Sequence, residues 1–301
     1  MHPLELKRHL HGVIAFTPTP FRADEQPDLE ALAEQVDFLC SSGVQSVVVC
    51  GGVGEFYALQ LDAYCACIRT AVEAAQKRVP VLAGIGHSTA IACQLAAYAA
   101  QVGAAGLMIN PLYFITPATD GLARHYRALA AASDLGMMIF STRGAVYSVD
   151  ELERLAEVEN VIALKDECGD LRMFSEMVDR LGDRYAWING MAETLAVPYA
   201  AAGAAAMTSG LVNLVPSISI AVWEAAVTGH YDEVRRLVWE QLLPLIRLRE
   251  RRPGYHITVL KEALTLLGRT GGTMCSPLVP LTESERQELR QALMLLGVLA
   301  E

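Results

Sequence analysis

A closed (β/α)8 barrel with an all-helical C-terminal extension is the fold that this 301-residue chain predicts. Three observations predict it. Eight short, β-rich apolar runs alternate with amphipathic Ala/Leu/Glu/Arg stretches, the signature of a parallel sheet with right-handed crossovers. Several runs are continuously apolar, as in "SVVVC" and "VPVLAGIG", which is how parallel strands buried on both faces read. The competing fold is a doubly wound open sheet. Its dinucleotide fingerprint, G-x-G-x-x-G, is missing after the first strand, where the chain reads "TPTPF".

In chain order, strands are expected at Gly12–Phe16, Ser46–Cys50, Val79–Ile85, Gly106–Asn110, Gly136–Phe140, Val161–Lys165, Ala186–Asn189 and Ala204–Thr208. Helices are expected near 29–42, 61–77, 88–102, 118–133, 148–157, 170–181, 192–202 and 217–228. The most apolar stretch, Leu195 to Val227, is interrupted by Pro198, Gly203, Ser209, Gly210, Asn213 and Pro216. It reads as buried helix, strand and loop rather than a membrane span. The barrel is expected over residues 1–228. The extension, 229–301, is expected to hold helices near 230–250, 255–268 and 283–299, separated by Pro253-Gly254 and the "GRTGGTMCSP" loop.

Composition narrows the function. Hydrophobic residues make up 52% and charged residues 19%, enough for a large core and against disorder. The formal charge is −10 with no long basic run, which argues against a nucleic-acid partner. Met1–Leu10 alternates charged and apolar residues and has no signal-peptide pattern, so a cytoplasmic protein is expected. The seven cysteines read as buried free thiols of a reducing compartment, and Cys65-Ala-Cys67 lacks a second ligand pair for zinc.

Barrel sites lie at the C-terminal strand ends. There, "VIALK" places Lys165 at the end of an apolar strand. Burial favours the neutral amine, which attacks a ketone and forms an imine; the imine then stabilises a neighbouring carbanion. Pairing with Asp166, Glu167 or Asp170 is the purely structural alternative. "GGVGE", Gly51–Glu55, follows the second strand, where glycine amides and a helix N-terminus suit an anion. A tight turn is the alternative. His87, after the third strand, reads as structural, and Arg247, Arg249, Arg251 and Arg252 read as a solvated helix end.

The arrangement "GGVGEFYAL", "VIALKDECGD", "INGMAE" and "MTSGLVNLVP" resembles the dihydrodipicolinate synthase/N-acetylneuraminate lyase family over nearly the whole chain. The resemblance implies a cofactor-free, Schiff-base-forming barrel that handles pyruvate or another 2-oxo acid. It implies Lys165 as the imine lysine, the backbone of Gly52 and Val53 as the carboxylate cradle, and Gly190 and Ser209 as pocket lining. Glu55 would tie down the loop. Tyr113 would reach a neighbouring site within a homotetramer, a dimer of dimers.

Two departures stand out. Gly52 and Val53 occupy places where the family carries threonine hydroxyls. Phe140-Ser141 ends the fifth strand where the family has Tyr-Asn, so the hydroxyl that relays protons is gone, a loss of about 10²–10⁴ in rate. Tyr113, Tyr57, Ser141, Thr142, Ser209 or water are the replacements the sequence offers. The short strand-5 loop places Arg143 three residues after Phe140, where a guanidinium suits a distal carboxylate; a solvated loop charge is the alternative. That loop, with "GGVGEF" and "SGLVNLVP", is closer to the 5-dehydro-4-deoxyglucarate dehydratase branch, which dehydrates and decarboxylates a keto-sugar diacid through the same imine. The expected function is a lyase acting by aldol chemistry or dehydration on pyruvate or a 2-keto sugar acid. The alternative is a barrel that binds a 2-oxo acid without turnover. A metal-dependent aldolase is disfavoured, since no His/Glu/Asp set at the strand ends has metal-ligand logic.

Overall fold

The computed structural model describes residues 1–112 and 117–300. Eight parallel strands close in sequence order: β1 (Gly12–Phe16), β2 (Ser46–Val49), β3 (Val81–Ile85), β4 (Gly106–Ile109), β5 (Gly136–Ser141), β6 (Val161–Asp166), β7 (Ala186–Asn189) and β8 (Ala206–Ser209). The expected barrel is therefore observed. Two strands start later than their apolar runs. Pro80 has no N–H to give a ladder, and the Ala204 amide closes the preceding helix by bonding the Tyr199 carbonyl at 2.9 Å.

Alternation along each strand divides the core in two. Val48, Leu82, Met108, Met138 and Ile188 fill the barrel, while Val47, Val49, Leu107, Met137 and Ile139 pack against the surrounding helices. A short helix that the sequence did not announce, α1 (Pro3–His9), closes the N-terminal end. Its Leu6, together with Leu10, joins the inner cluster. Gly106 leaves room for Leu6, because any Cβ there would collide with that side chain.

The ring helices are α2 (Leu29–Cys40), α3 (Leu61–Ala75), α4 (Thr89–Gln101), α5 (Thr119–Ala132), α6 (Val149–Leu155), α7 (Leu171–Leu181), α8 (Ala196–Ala201) and α9 (Pro216–Val227). Asp28, Ser88, Ser148 and Asp170 cap four of them by accepting backbone N–H bonds. The extension contains α10 (Tyr231–Arg235), α11 (Leu243–Glu250), α12 (Tyr255–Leu266) and α13 (Glu283–Leu295). The single helix expected near 230–250 is divided by a π-helical stretch, Arg236–Leu242, just before Pro244, which cannot donate to the helical ladder. All seven cysteines are free; Cys50, Cys67 and Cys275 are buried and the other four are half-buried. Among the described residues no helix is long and apolar enough to cross a membrane.

Candidate active site

Strand register sets the chemistry of the barrel mouth. Phe140 on β5 pairs with Lys165 on β6, and Ser141 pairs with Asp166. Phe140 and Lys165 therefore share the inner face, whereas Ser141 and Asp166 face the helical layer. Asp166 is buried and accepts the Tyr199 hydroxyl. The Ser141 hydroxyl meets the Cys168 thiol at 3.2 Å. Burial pushes that thiol up to about 11. Ser141 is thus turned away from Lys165 by strand alternation, and its place as a substrate-binding residue has no support in this geometry.

The Lys165 side chain is 6% exposed, and its Nζ donates to Glu167 Oε2 at 2.5 Å. The ammonium also lies 3.5 Å from the centroid of the Phe140 ring and 5.3 Å from that of Phe16. So the ring that lacks the expected hydroxyl forms an aromatic wall for the cation instead. Glu167 is 42% exposed and faces a cavity of about 240 Å³ that Lys165 also lines. Period-two spacing explains it: residue 167 returns to the side of the strand end that residue 165 occupies.

Val53, Gly190 and Ser209 line the same cavity. The amides of Gly52 and Val53 donate to no acceptor among the described residues, so two N–H groups of the loop after β2 are available to an anion. Gly190 is required by close approach. A Cβ there would lie 2.5 Å from the Asp166 carbonyl oxygen, which accepts the Gly190 amide at 2.7 Å. The Ser209 hydroxyl is committed to the scaffold: it donates to buried Glu193 at 2.5 Å and accepts the Val212 amide at 3.0 Å.

Glu55 is fully buried in a left-handed conformation. It pairs with Lys261 of α12 and accepts the Cys275 amide at 3.0 Å, while Lys261 also donates to the Thr273 carbonyl at 2.6 Å. Burial holds the Lys261 ammonium below its usual range. This is the tie-down role expected of Glu55, and it joins the loop after β2 to the extension. Asn213 of "SGLVN" donates to the Phe16 carbonyl at 2.8 Å, accepts from Gln35 at 2.7 Å, and its own carbonyl accepts from Arg269 at 2.7 Å.

The remaining candidates are distributed differently. Arg143 is exposed on the loop after β5, and the described residues lining the cavity do not include it. Tyr57 packs edge-on against Phe56 outside the cavity, and burial raises its hydroxyl above the usual range. The His87 ring lies tilted against that of Phe56, with centroids 5.5 Å apart. Tyr113 lies outside the described residues. In exchange, the extension sends Ile246, Arg249, Glu250 and His256 to the cavity. Arg249 differs from its neighbours here: Arg247 is exposed and Arg251 binds Glu288 at 2.6 Å.

Comparison with known proteins agrees with this architecture. The family model described as the dihydrodipicolinate synthetase family matches residues 9–295. A Bradyrhizobium diazoefficiens protein named probable 5-dehydro-4-deoxyglucarate dehydratase is 35% identical over 96% of this chain and 93% of its own length. A Pseudomonas putida protein of the same name is 33% identical over 98% of each. The crystal structure of dihydrodipicolinate synthase from Bacillus clausii superposes with a TM-score of 0.89 at 30% identity, covering 97% of this chain and 99% of that one. The chain belongs to the dihydrodipicolinate synthetase family, whose members include lyases and dehydratases.

Proposed function

We propose that the chain dehydrates a 2-keto sugar acid through an imine on Lys165, with Glu167 carrying the proton that the family's strand-5 tyrosine would carry. A structural lysine would also make the 2.5 Å pair between Lys165 Nζ and Glu167; what supports the reading above all is that this carboxylate is open to the cavity that Lys165 lines. The names of the relatives support dehydration as the reaction.

The chemistry balances with these groups. Glu167 accepts a proton from the ammonium, and the free amine attacks the keto carbon; protonated Glu167 then returns that proton to the carbinolamine hydroxyl, which leaves as water to give the iminium and restores the carboxylate. The free amides of Gly52 and Val53 hold the adjacent carboxylate. The Glu167 carboxylate then removes a proton from the carbon next to the iminium, giving the enamine. The enamine electron pair expels the hydroxyl one carbon further on, and protonated Glu167 returns its proton so that water leaves. Hydrolysis frees Lys165. The homotetramer and the reach of Tyr113 into a neighbouring site belong to the same proposal.

Borohydride reduction in the presence of pyruvate, followed by intact-mass measurement, tests the imine. The wild type is expected to gain the reduced pyruvyl mass and the Lys165→Ala variant none. An equal gain in both, or no gain with pyruvate or any 2-oxo acid, overturns the assignment.

A further inference from the structure

We infer that Arg249, from the C-terminal extension, binds the distal carboxylate of a dicarboxylic 2-oxo acid whose keto carbon sits at Lys165. This rests on the imine reading for the position of the keto group. The cavity itself supplies the other end.

Arg249 lies on α11 and lines the cavity that Lys165 lines. Its guanidinium packs over the backbone just after β8: a Cβ on Gly210 would lie 3.1 Å from Arg249 Nη2. A residue larger than glycine would press on the guanidinium at that point. The remaining partners of Arg249 are poor. Its hydrogen bonds are two long contacts of 3.4 Å to the His256 carbonyl. Among the described residues it forms no ion pair, although Arg251, Arg252 and Arg286 in the same extension all do. Two carboxylates act on it from a distance. Glu193 is already engaged by Ser209 at 2.5 Å and Ser219 at 2.7 Å, and Glu250, the next residue, is exposed at the cavity and forms no ion pair with it among the described residues.

Arg249 is half-buried, and with no ion-pair partner among the described residues its guanidinium keeps donors that a ligand can complete. Burial accordingly lowers its pKa. Its planar fork suits a carboxylate bidentately. The amides of Gly52 and Val53 are free to take the carboxylate beside the keto group, so an anion at Arg249 is a second one. A cavity of about 240 Å³, below the roughly 300–1,000 Å³ of drug-sized sites, is on the scale of a small metabolite. Arg143, the arginine that sequence position favours for this task, stands exposed outside the cavity.

The test compares 2-oxoadipate with 2-oxohexanoate, which replaces the distal carboxylate by a methyl group. Dissociation constants are measured calorimetrically for the wild type, Arg249→Met and Arg249→Lys, with borohydride trapping of the same ligands alongside. The wild type is expected to prefer the diacid by roughly 30- to 1,000-fold. Arg249→Met should erase that preference while leaving the monoacid affinity within about threefold, and Arg249→Lys should restore part of it. A diacid preference that survives Arg249→Met, or an equal loss for both ligands, overturns the inference even where trapping succeeds. Loss of trapping in the wild type with the Arg249-dependent preference intact would instead remove the imine reading and leave this one standing.

Discussion

Two lysine–glutamate pairs stand near the C-terminal end of the same barrel and are built in opposite ways. Lys261 and Glu55 are both fully buried, and each has a second backbone partner, Thr273 and Cys275 respectively. Nothing about that pair is left for a ligand. Lys165 is almost as buried, yet its partner Glu167 opens onto a cavity and, among the described residues, no other hydrogen bond holds its Nζ. The same two residue types thus give a clasp in one place and an open pair in the other. The difference is whether the remaining valences are satisfied by the chain or left facing a space that a substrate can enter.

The comparison can be broken by substitution, beginning with the largest effect. Lys165→Ala removes the amine proposed to form the imine, and turnover should fall by about 10⁴ or more while the thermal melt stays close to wild type. A residual rate within tenfold of wild type would show that the open pair is not the reacting one. Glu167→Gln keeps the size and loses the proton carrier. It should still trap pyruvate but lower kcat by about 10²–10⁴.

Lys261→Met should invert the pattern. It leaves Glu55 buried without its counter-charge, and denaturant unfolding should report a loss of about 3–5 kcal/mol. Unchanged stability would mean that the clasp carries none of the attachment between the loop after β2 and the extension.

The smallest effect concerns a third carboxylate, which caps α13. Thr282 amide and hydroxyl bonds hold Glu285 down to about 2, from an ordinary value of 4.5. A depressed carboxylate contributes stability that is present above its unfolded value and is lost as pH falls through its folded value. The wild-type melting temperature should therefore decline between about pH 4.5 and pH 2 with a component that Glu285→Gln lacks. Identical slopes in the two proteins would contradict it.

The strands were legible because a parallel barrel buries both faces and leaves continuous apolar runs; "SVVVC" and "VIALK" mark β2 and β6 directly. The plugging helix α1 was not, since Leu6 and Leu10 are two apolar positions in a charged segment, and only the closed barrel gives them a floor to fill. The structure brings Lys165, Val53, Gly190 and Ser209 to one cavity because all four lie at the C-terminal strand ends or in the loops that follow them. Arg249 came from outside that rule, yet a signal existed. Leu242, Leu245, Ile246 and Arg249 follow the i, i+3, i+4, i+7 spacing of a buried stripe, on which a charge stands out. Arg247 and Arg251 fall off that stripe. Glu167 had its own signal, the two-residue return to the lysine side of the strand.

The division of labour between Lys165 and Glu167 is tested most directly by the exchange of pyruvate methyl protons in deuterium oxide, followed by NMR. This step needs only the imine and a base, so it does not depend on the identity of the full substrate. The account predicts exchange catalysed by the wild type, none above background with Lys165→Ala, and a rate about 10²–10⁴ lower with Glu167→Gln although that variant still forms the borohydride-trapped adduct. Exchange at the wild-type rate in Glu167→Gln, or any catalysed exchange in Lys165→Ala, would contradict it.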